Sequence, residues 1–219
     1  LQVLLWVTYF SIMSQFLESD VKNFLQGKDL CIIGFMGAGK TTFGELLAKE
    51  LKSKLLDIDK MIELKENKLI FEIFKEKGEK YFRALEKNLL QDIVFAEKTN
   101  IENPKEIITQ SCSMSSSHSK IIVCGGGLPL KKGNQKLLKL LNTFFICLNP
   151  SFEVILSRIR GSKRPLIYRH SRKAIFTLWS DRYEIYQRLA DISISEAGTE
   201  EIFQTLNQRV KLYIKSREQ

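Results

Sequence analysis

From Asp29 onward, short apolar runs alternate with longer segments whose apolar residues recur at helical spacing. This is the pattern of βα units wound around a parallel sheet. Five runs read as strands: Leu30 to Gly34, Lys54 to Asp59, Lys120 to Cys124, Thr143 to Asn149 and Asp191 to Ser195. Phe43, Leu46, Leu47 and Leu51 fall on one helical face, as do Phe82, Leu85, Leu89 and Ile93, and later Ile202, Phe203, Leu206 and Val210. These stripes are core positions and carry no chemistry. Two segments break the rhythm. Glu97 to Ser119 is polar and Ser-rich with Pro104, and Gly161 to Lys173 is basic. Long irregular stretches in a compact domain are lids or insertions, so the basic segment (about 160–173) reads as a lid and the Ser-rich one (about 97–119) as an insertion.

With 219 residues, 44% of them hydrophobic and 27% charged, the chain fits one globular α/β domain and neither a disordered nor a fibrous class. Its net charge of +9 favours an anionic partner, and much of the excess lies between Arg158 and Lys173. No motif with interleaved aromatics suggests nucleic acid. Cys31, Cys112, Cys124 and Cys147 lack ligand-like spacing, and with His118 and His170 as the only histidines no zinc site is offered. Reduced core thiols are the expectation, with a cytoplasmic location. The run from Leu1 to Met13 is too short to span a bilayer and lacks a basic start or a small-residue cleavage site. Residues 1–28 therefore read as an extension, artefactual or poorly ordered, ahead of a domain over 29–219.

Residues Gly34-Phe35-Met36-Gly37-Ala38-Gly39-Lys40-Thr41 match the Gly-x-x-x-x-Gly-Lys-Ser/Thr phosphate loop, after an apolar strand and before an amphipathic helix. Glycines let backbone N–H groups turn toward phosphate oxygens, and the helix start adds a dipole that favours negative charge. Lys40 is expected on the β- and γ-phosphoryl oxygens of ATP and the Thr41 hydroxyl on Mg²⁺, with Gly37, Ala38, Gly39 and Thr42 completing the nucleotide contacts. Next, Asp57-Ile58-Asp59 places two carboxylates at a strand's C-terminal end, the edge that faces ligands in an open α/β sheet. One suits the magnesium water shell and the other an acceptor hydroxyl; a helix N-cap is the plainer alternative for Asp59.

Tyr81-Phe82-Arg83-Ala84-Leu85-Glu86, Cys124-Gly125-Gly126-Gly127, Lys163-Arg164-Pro165-Leu166 and the run from Arg182 to Asp191 follow in that order. Together with the phosphate loop and Asp-x-Asp, they make the chain from about Leu30 to the last helix resemble the shikimate kinase family. The resemblance implies a nucleoside-monophosphate-kinase-like fold, α/β with a five-stranded parallel sheet in the order 2-3-1-4-5. It implies ATP, Mg²⁺ and shikimate as ligands, shikimate 3-phosphate and ADP as products, and a monomer with neither nucleic-acid nor membrane partners. By the same analogy Asp59 holds the ring hydroxyls, leaving Asp57 for the metal through water. Arg83 and Arg188 bind the carboxylate, Gly125, Gly126 and Gly127 line the acid site, and Arg164 comes from the lid to the transferring phosphoryl group. An adenine-stacking arginine is expected before the lid, where Arg158 and Arg160 both fit.

The residue types agree with these roles. A guanidinium offers a planar fork to a carboxylate, each charge-assisted bond contributing roughly 1.5 to 3 kcal/mol. Glu86 shares a helix face with Arg83 and can brace it. A kinase for another hydroxy or sugar acid and a non-catalytic relative are the alternatives.

Overall fold

The computed structural model describes residues 16–99, 119–141, 143–160 and 170–218. The apolar runs form β1 (Asp29–Gly34), β2 (Lys54–Asp57), β3 (Lys120–Val123), β4 (Thr143–Leu148) and β5 (Ile192–Ile194). They make a single sheet in the order β2-β3-β1-β4-β5, with every pairing parallel. Central β1 sets the register, Leu30 lying beside Ile121 and Phe144 and Ile32 beside Val123 and Ile146.

Helices cover both faces, which is why the inner strands run apolar on both sides after their first residues, Asp29, Lys120 and Thr143. Because successive side chains point to opposite faces, Cys31, Ile33, Ile122, Phe145 and Cys147 pack in one layer with Phe82, Leu89 and Ile93. Leu30, Ile32, Ile121, Phe144 and Ile146 pack in the other with Phe43, Leu47, Phe203 and Leu206. The helices are α1 (Ser19–Gln26), α2 (Lys40–Leu51), α3 (Ile58–Glu66), α4 (Ile70–Thr99), α5 (Lys132–Leu140), α6 (Phe152–Ile159), α7 (Arg172–Leu189) and α8 (Thr199–Lys215). A 3₁₀ turn spans Leu128–Leu130.

Helix α4 is two arms joined at Gly78, whose φ of 77° and ψ of 172° belong to a region essentially reserved for glycine. The first arm brings Phe71 and Phe74, and the second Phe82, Arg83 and Glu86, to one cleft.

The expectation of a poorly ordered extension fails for residues 16–28. Val21 and Leu25 of α1 are fully buried in the second layer, and Phe16 stacks on Phe203 at 4.5 Å. Asn207 bonds both the Phe16 carbonyl and the Glu18 amide. The first fifteen residues, Cys112 and nearly all of the Ser-rich insertion lie outside the described residues. Strand β2 stops at Asp57 rather than Asp59, because the Asp57 carboxylate caps α3 by accepting from Lys60 N at 3.2 Å. The ends of β3, β4 and β5 also fall a residue short of expectation. Cys31, Cys124 and Cys147 are buried free thiols, and burial pushes Cys147 up to about 12. Among the described residues, no helix is long and apolar enough to cross a membrane.

Candidate active site

A cleft of about 630 Å³ opens at the C-terminal edge of the sheet, where ligands of open α/β sheets bind. One end is the phosphate loop. Gly37 and Gly39 hold φ of 81° and 96°, conformations that glycine adopts without strain, and α2 begins at Lys40. Lys40 Nζ donates to the Phe35 carbonyl at 3.0 Å. The Thr41 hydroxyl donates to Asp57 Oδ2 at 2.7 Å, so two hard oxygen donors meet beside the loop. That donor set fits Mg²⁺, which takes carboxylate, phosphate and water oxygens. Thr42 lines the same wall.

Asp59 sits in the first turn of α3, so Asp57 rather than Asp59 is the N-cap. Its Oδ1 is shut off from solvent and has no hydrogen-bond partner among the described residues. Burial lifts this carboxyl to about 6, helped by the charge of Asp57 and opposed by Lys40 and Arg83. The same carboxylate thus feels the cation of the phosphate loop and the cation of the far end.

At that far end, Arg83 bonds Glu86 Oε2 at 2.7 Å and Glu79 Oε1 at 2.9 Å. Glu86 is fully buried; burial lifts it to about 7 against the pull of Arg83, and its Oε1 has no partner among the described residues. The glycine run explains itself sterically. A Cβ on Gly125 would lie 2.4 Å from Asp59 Oδ1 and 2.8 Å from Glu86 Oε1, and one on Gly127 would lie 2.3 Å from Arg83 Nη1. Side chains there would expel the carboxylates and guanidinium from the backbone they rest against. The Gly126 carbonyl accepts from the Tyr186 hydroxyl.

The structure does not bring Arg188 to this cleft. It is exposed, with Nε donating to the Glu184 carbonyl of its own helix at 3.3 Å. The arginine of α7 that lines the cleft is Arg182. It is 7% exposed, lies 5.6 Å from the Phe35 ring, and its Nη1 has no partner among the described residues. Six residues along a helix turn the side chain by about 240°, so only one of the two can face inward. The signal was present in the sequence: Ile175, Arg182 and Tyr186 share the buried stripe of α7, and Arg188 lies off it.

Of the two candidates before the lid, Arg158 reaches the loop, with Nη1 donating to the Gly37 and Ala38 carbonyls at 3.3 and 3.4 Å and Nη2 to the Ala197 carbonyl at 2.8 Å. It also lines a smaller hollow with Thr42, Phe43, Leu46 and Ile202. Arg160 is exposed at the end of α6. Arg164 and the core of the expected lid lie outside the described residues.

A family model described as shikimate kinase matches residues 36–102 and 97–211. Shikimate kinase of Persephonella marina is 36% identical over 172 residues, covering 78% of this chain and 90% of that protein. The enzyme of Sulfurihydrogenibium is 36% identical over 169 residues, covering 77% and 87%. Among solved structures, shikimate kinase from Acinetobacter baumannii in complex with shikimate superposes with a TM-score of 0.67 at 26% identity, covering 90% of this chain and 98% of that one. A loop for phosphate, a buried carboxylate and two cleft arginines over a glycine run thus coincide with similarity along most of the sequence, and the chain belongs to the shikimate kinase family.

Proposed function

We propose that this protein transfers the γ-phosphoryl group of ATP to the 3-hydroxyl of shikimate, giving shikimate 3-phosphate and ADP in aromatic amino acid biosynthesis. The observation that carries the reading is one continuous cleft with Lys40 at its phosphate end, Arg83 and Arg182 at its other end, and Asp59 acted on by Lys40 and Arg83.

Arg83 and Arg182 bind the acid's carboxylate, a compact anion suited to planar forks. Gly125 to Gly127 let the ring approach the backbone. Asp59, which lines the cleft, takes a ring hydroxyl on its carboxylate, orients it in line with the phosphoryl group and accepts its proton as the new bond forms. Lys40 and the phosphate-loop amides stabilise charge on the phosphoryl oxygens. Thr41, with Asp57 through water, would hold Mg²⁺, which supplies neutralisation of the same oxygens. Arg158 and the hollow beside it suit the adenine, and Arg164 keeps its expected place on the transferring group on the strength of its motif. The enzyme acts as a monomer in the cytoplasm, a reducing compartment that suits its buried free thiols.

The test is ADP release by the purified chain with ATP and Mg²⁺, with and without shikimate. Release that depends on shikimate and disappears in Lys40→Ala is expected. Release that is independent of shikimate, or faster with another hydroxy acid, would overturn the reading.

A further inference from the structure

Tyr186 lies beneath the acid end of the cleft and has no part in the chemistry above. It is 1% exposed, one helical turn after Arg182 on the inward stripe of α7. Its hydroxyl donates to the Gly126 carbonyl across 60 residues of sequence. Burial pushes the phenol well above its ordinary value, Arg182 acting in the opposite sense, so the group is a neutral donor throughout the working pH range.

The segment it holds cannot hold itself. Three successive glycines have the largest backbone freedom to lose on ordering. The Gly125 carbonyl accepts from Leu128 N at 3.0 Å and the Gly127 carbonyl from Leu130 N at 3.3 Å, so both close turns within the segment. Among the described residues, the Gly126 carbonyl is the member of the run tied to another element, α7. Because the peptide unit is planar and trans, fixing the Gly126 oxygen also fixes the direction of the Gly127 N–H, on the side away from Tyr186. Gly127 is the residue against which the Arg83 guanidinium rests. The same α7 face carries Arg182 against Phe35 of the phosphate loop.

We infer that Tyr186 is a positioning residue for the acid substrate: its hydroxyl locks the Gly125–Gly127 run to the inward face of α7, so that the Gly127 amide, Arg83 and Arg182 are presented to one carboxylate at fixed spacing. The inference rests on the reading of this end of the cleft as the acid site. It adds a residue that touches neither ligand and sets how well the acid is bound.

The experiment is steady-state kinetics of Tyr186→Phe, which removes one oxygen and adds no volume. The KM for shikimate should rise about tenfold, the factor expected for one net hydrogen bond, while the KM for ATP and kcat at saturating acid stay within about twofold. Replacing Tyr186 with 4-aminophenylalanine, which restores a donor at the same place, should bring the KM for shikimate back. Leu189→Ala, a packing change on the same helix, should lower the thermal midpoint and leave that KM unmoved. If Tyr186→Phe is recovered unfolded, 4-fluorophenylalanine and 4-aminophenylalanine at position 186 make the same comparison with the para position filled. An unchanged KM for shikimate in the donor-free variants, or a rise of equal size in Leu189→Ala, overturns the inference. A parent enzyme that releases no ADP with shikimate would instead remove the proposed function, and this inference would fall with it.

Discussion

The two ends of the cleft differ in how their polar groups are satisfied. At the phosphate end Lys40 rests on the Phe35 carbonyl, Thr41 on Asp57, and the second Asp57 oxygen on the amide of Lys60. At the acid end Asp59 Oδ1, Glu86 Oε1 and Arg182 Nη1 are buried without partners among the described residues, and burial lifts both carboxyls, to about 6 and about 7. A buried polar group without a hydrogen bond costs about 1 to 3 kcal/mol, so the surrounding packing holds the acid end in an unfavourable state. In the proposed function a hydroxylated carboxylic acid would bring hydroxyls to Asp59 and a carboxylate to Arg182. The phosphate end is satisfied within the chain, whereas the acid end keeps buried polar atoms without partners among the described residues.

Changes at the phosphate end should therefore remove turnover, and changes at the acid end should weaken acceptor binding. Lys40→Ala should lower kcat by about 10³-fold, the loss typical of one preorganised charge-stabilising donor, measured as shikimate-dependent ADP release. Asp59→Asn should lower kcat by about 10²-fold or more, the contribution of a positioned base, with ATP affinity kept in an equilibrium nucleotide titration. Near-normal turnover in Asp59→Asn would defeat its assigned role. Gly127→Ala should raise the KM for shikimate about tenfold by displacing a charge-assisted bond of Arg83. Its new Cβ meets the far end of that flexible side chain rather than backbone, so the thermal midpoint should move little.

The smallest effect is one of pH on stability. The carboxyl of Glu86 ionises in the folded chain near 7 rather than at its ordinary value of 4.5. Its contribution to stability is thus fully present below the ordinary value and is lost as pH rises through about 7. Glu86→Gln has no such loss. The thermal midpoint of the variant relative to the parent should therefore climb between pH 5 and pH 8, and a flat difference would contradict the lifted value.

What could be read from the sequence follows the same division. The phosphate loop is a contiguous stretch whose function resides in its backbone, so Gly34 to Thr41 could be placed from spacing alone; the βα rhythm gives a parallel sheet, and its strand order is what the family resemblance implies. The acid site is assembled from α3, α4, the glycine run and α7, and its members meet only in three dimensions. Arg83 was legible through the family resemblance of the run from Tyr81 to Glu86, and Glu86 at helical spacing agrees with it. Arg182 and Arg188 stand in the same motif, and only their phase relative to Ile175 and Tyr186 tells inward from outward. The end of β2 was misplaced because an Asp that caps a helix and an Asp that ends a strand look alike until the amide of Lys60 is seen bonded to Asp57. The segment leading into α1 is not legible locally because Phe16 and Glu18 are held by Asn207 and Phe203, nearly two hundred residues away.

The most direct test is a pair of variants on one helix, Arg182→Ala and Arg188→Ala, compared by the dependence of ADP release on shikimate concentration at saturating ATP. Arg182→Ala should raise the KM for shikimate by about 10- to 100-fold, the range for losing a charge-assisted pair. Arg188→Ala, whose side chain faces solvent, should leave it within about twofold, as surface charges contribute little. The reverse order, or equal effects, would show that the acid does not bind where Arg83, the glycine run and Arg182 converge.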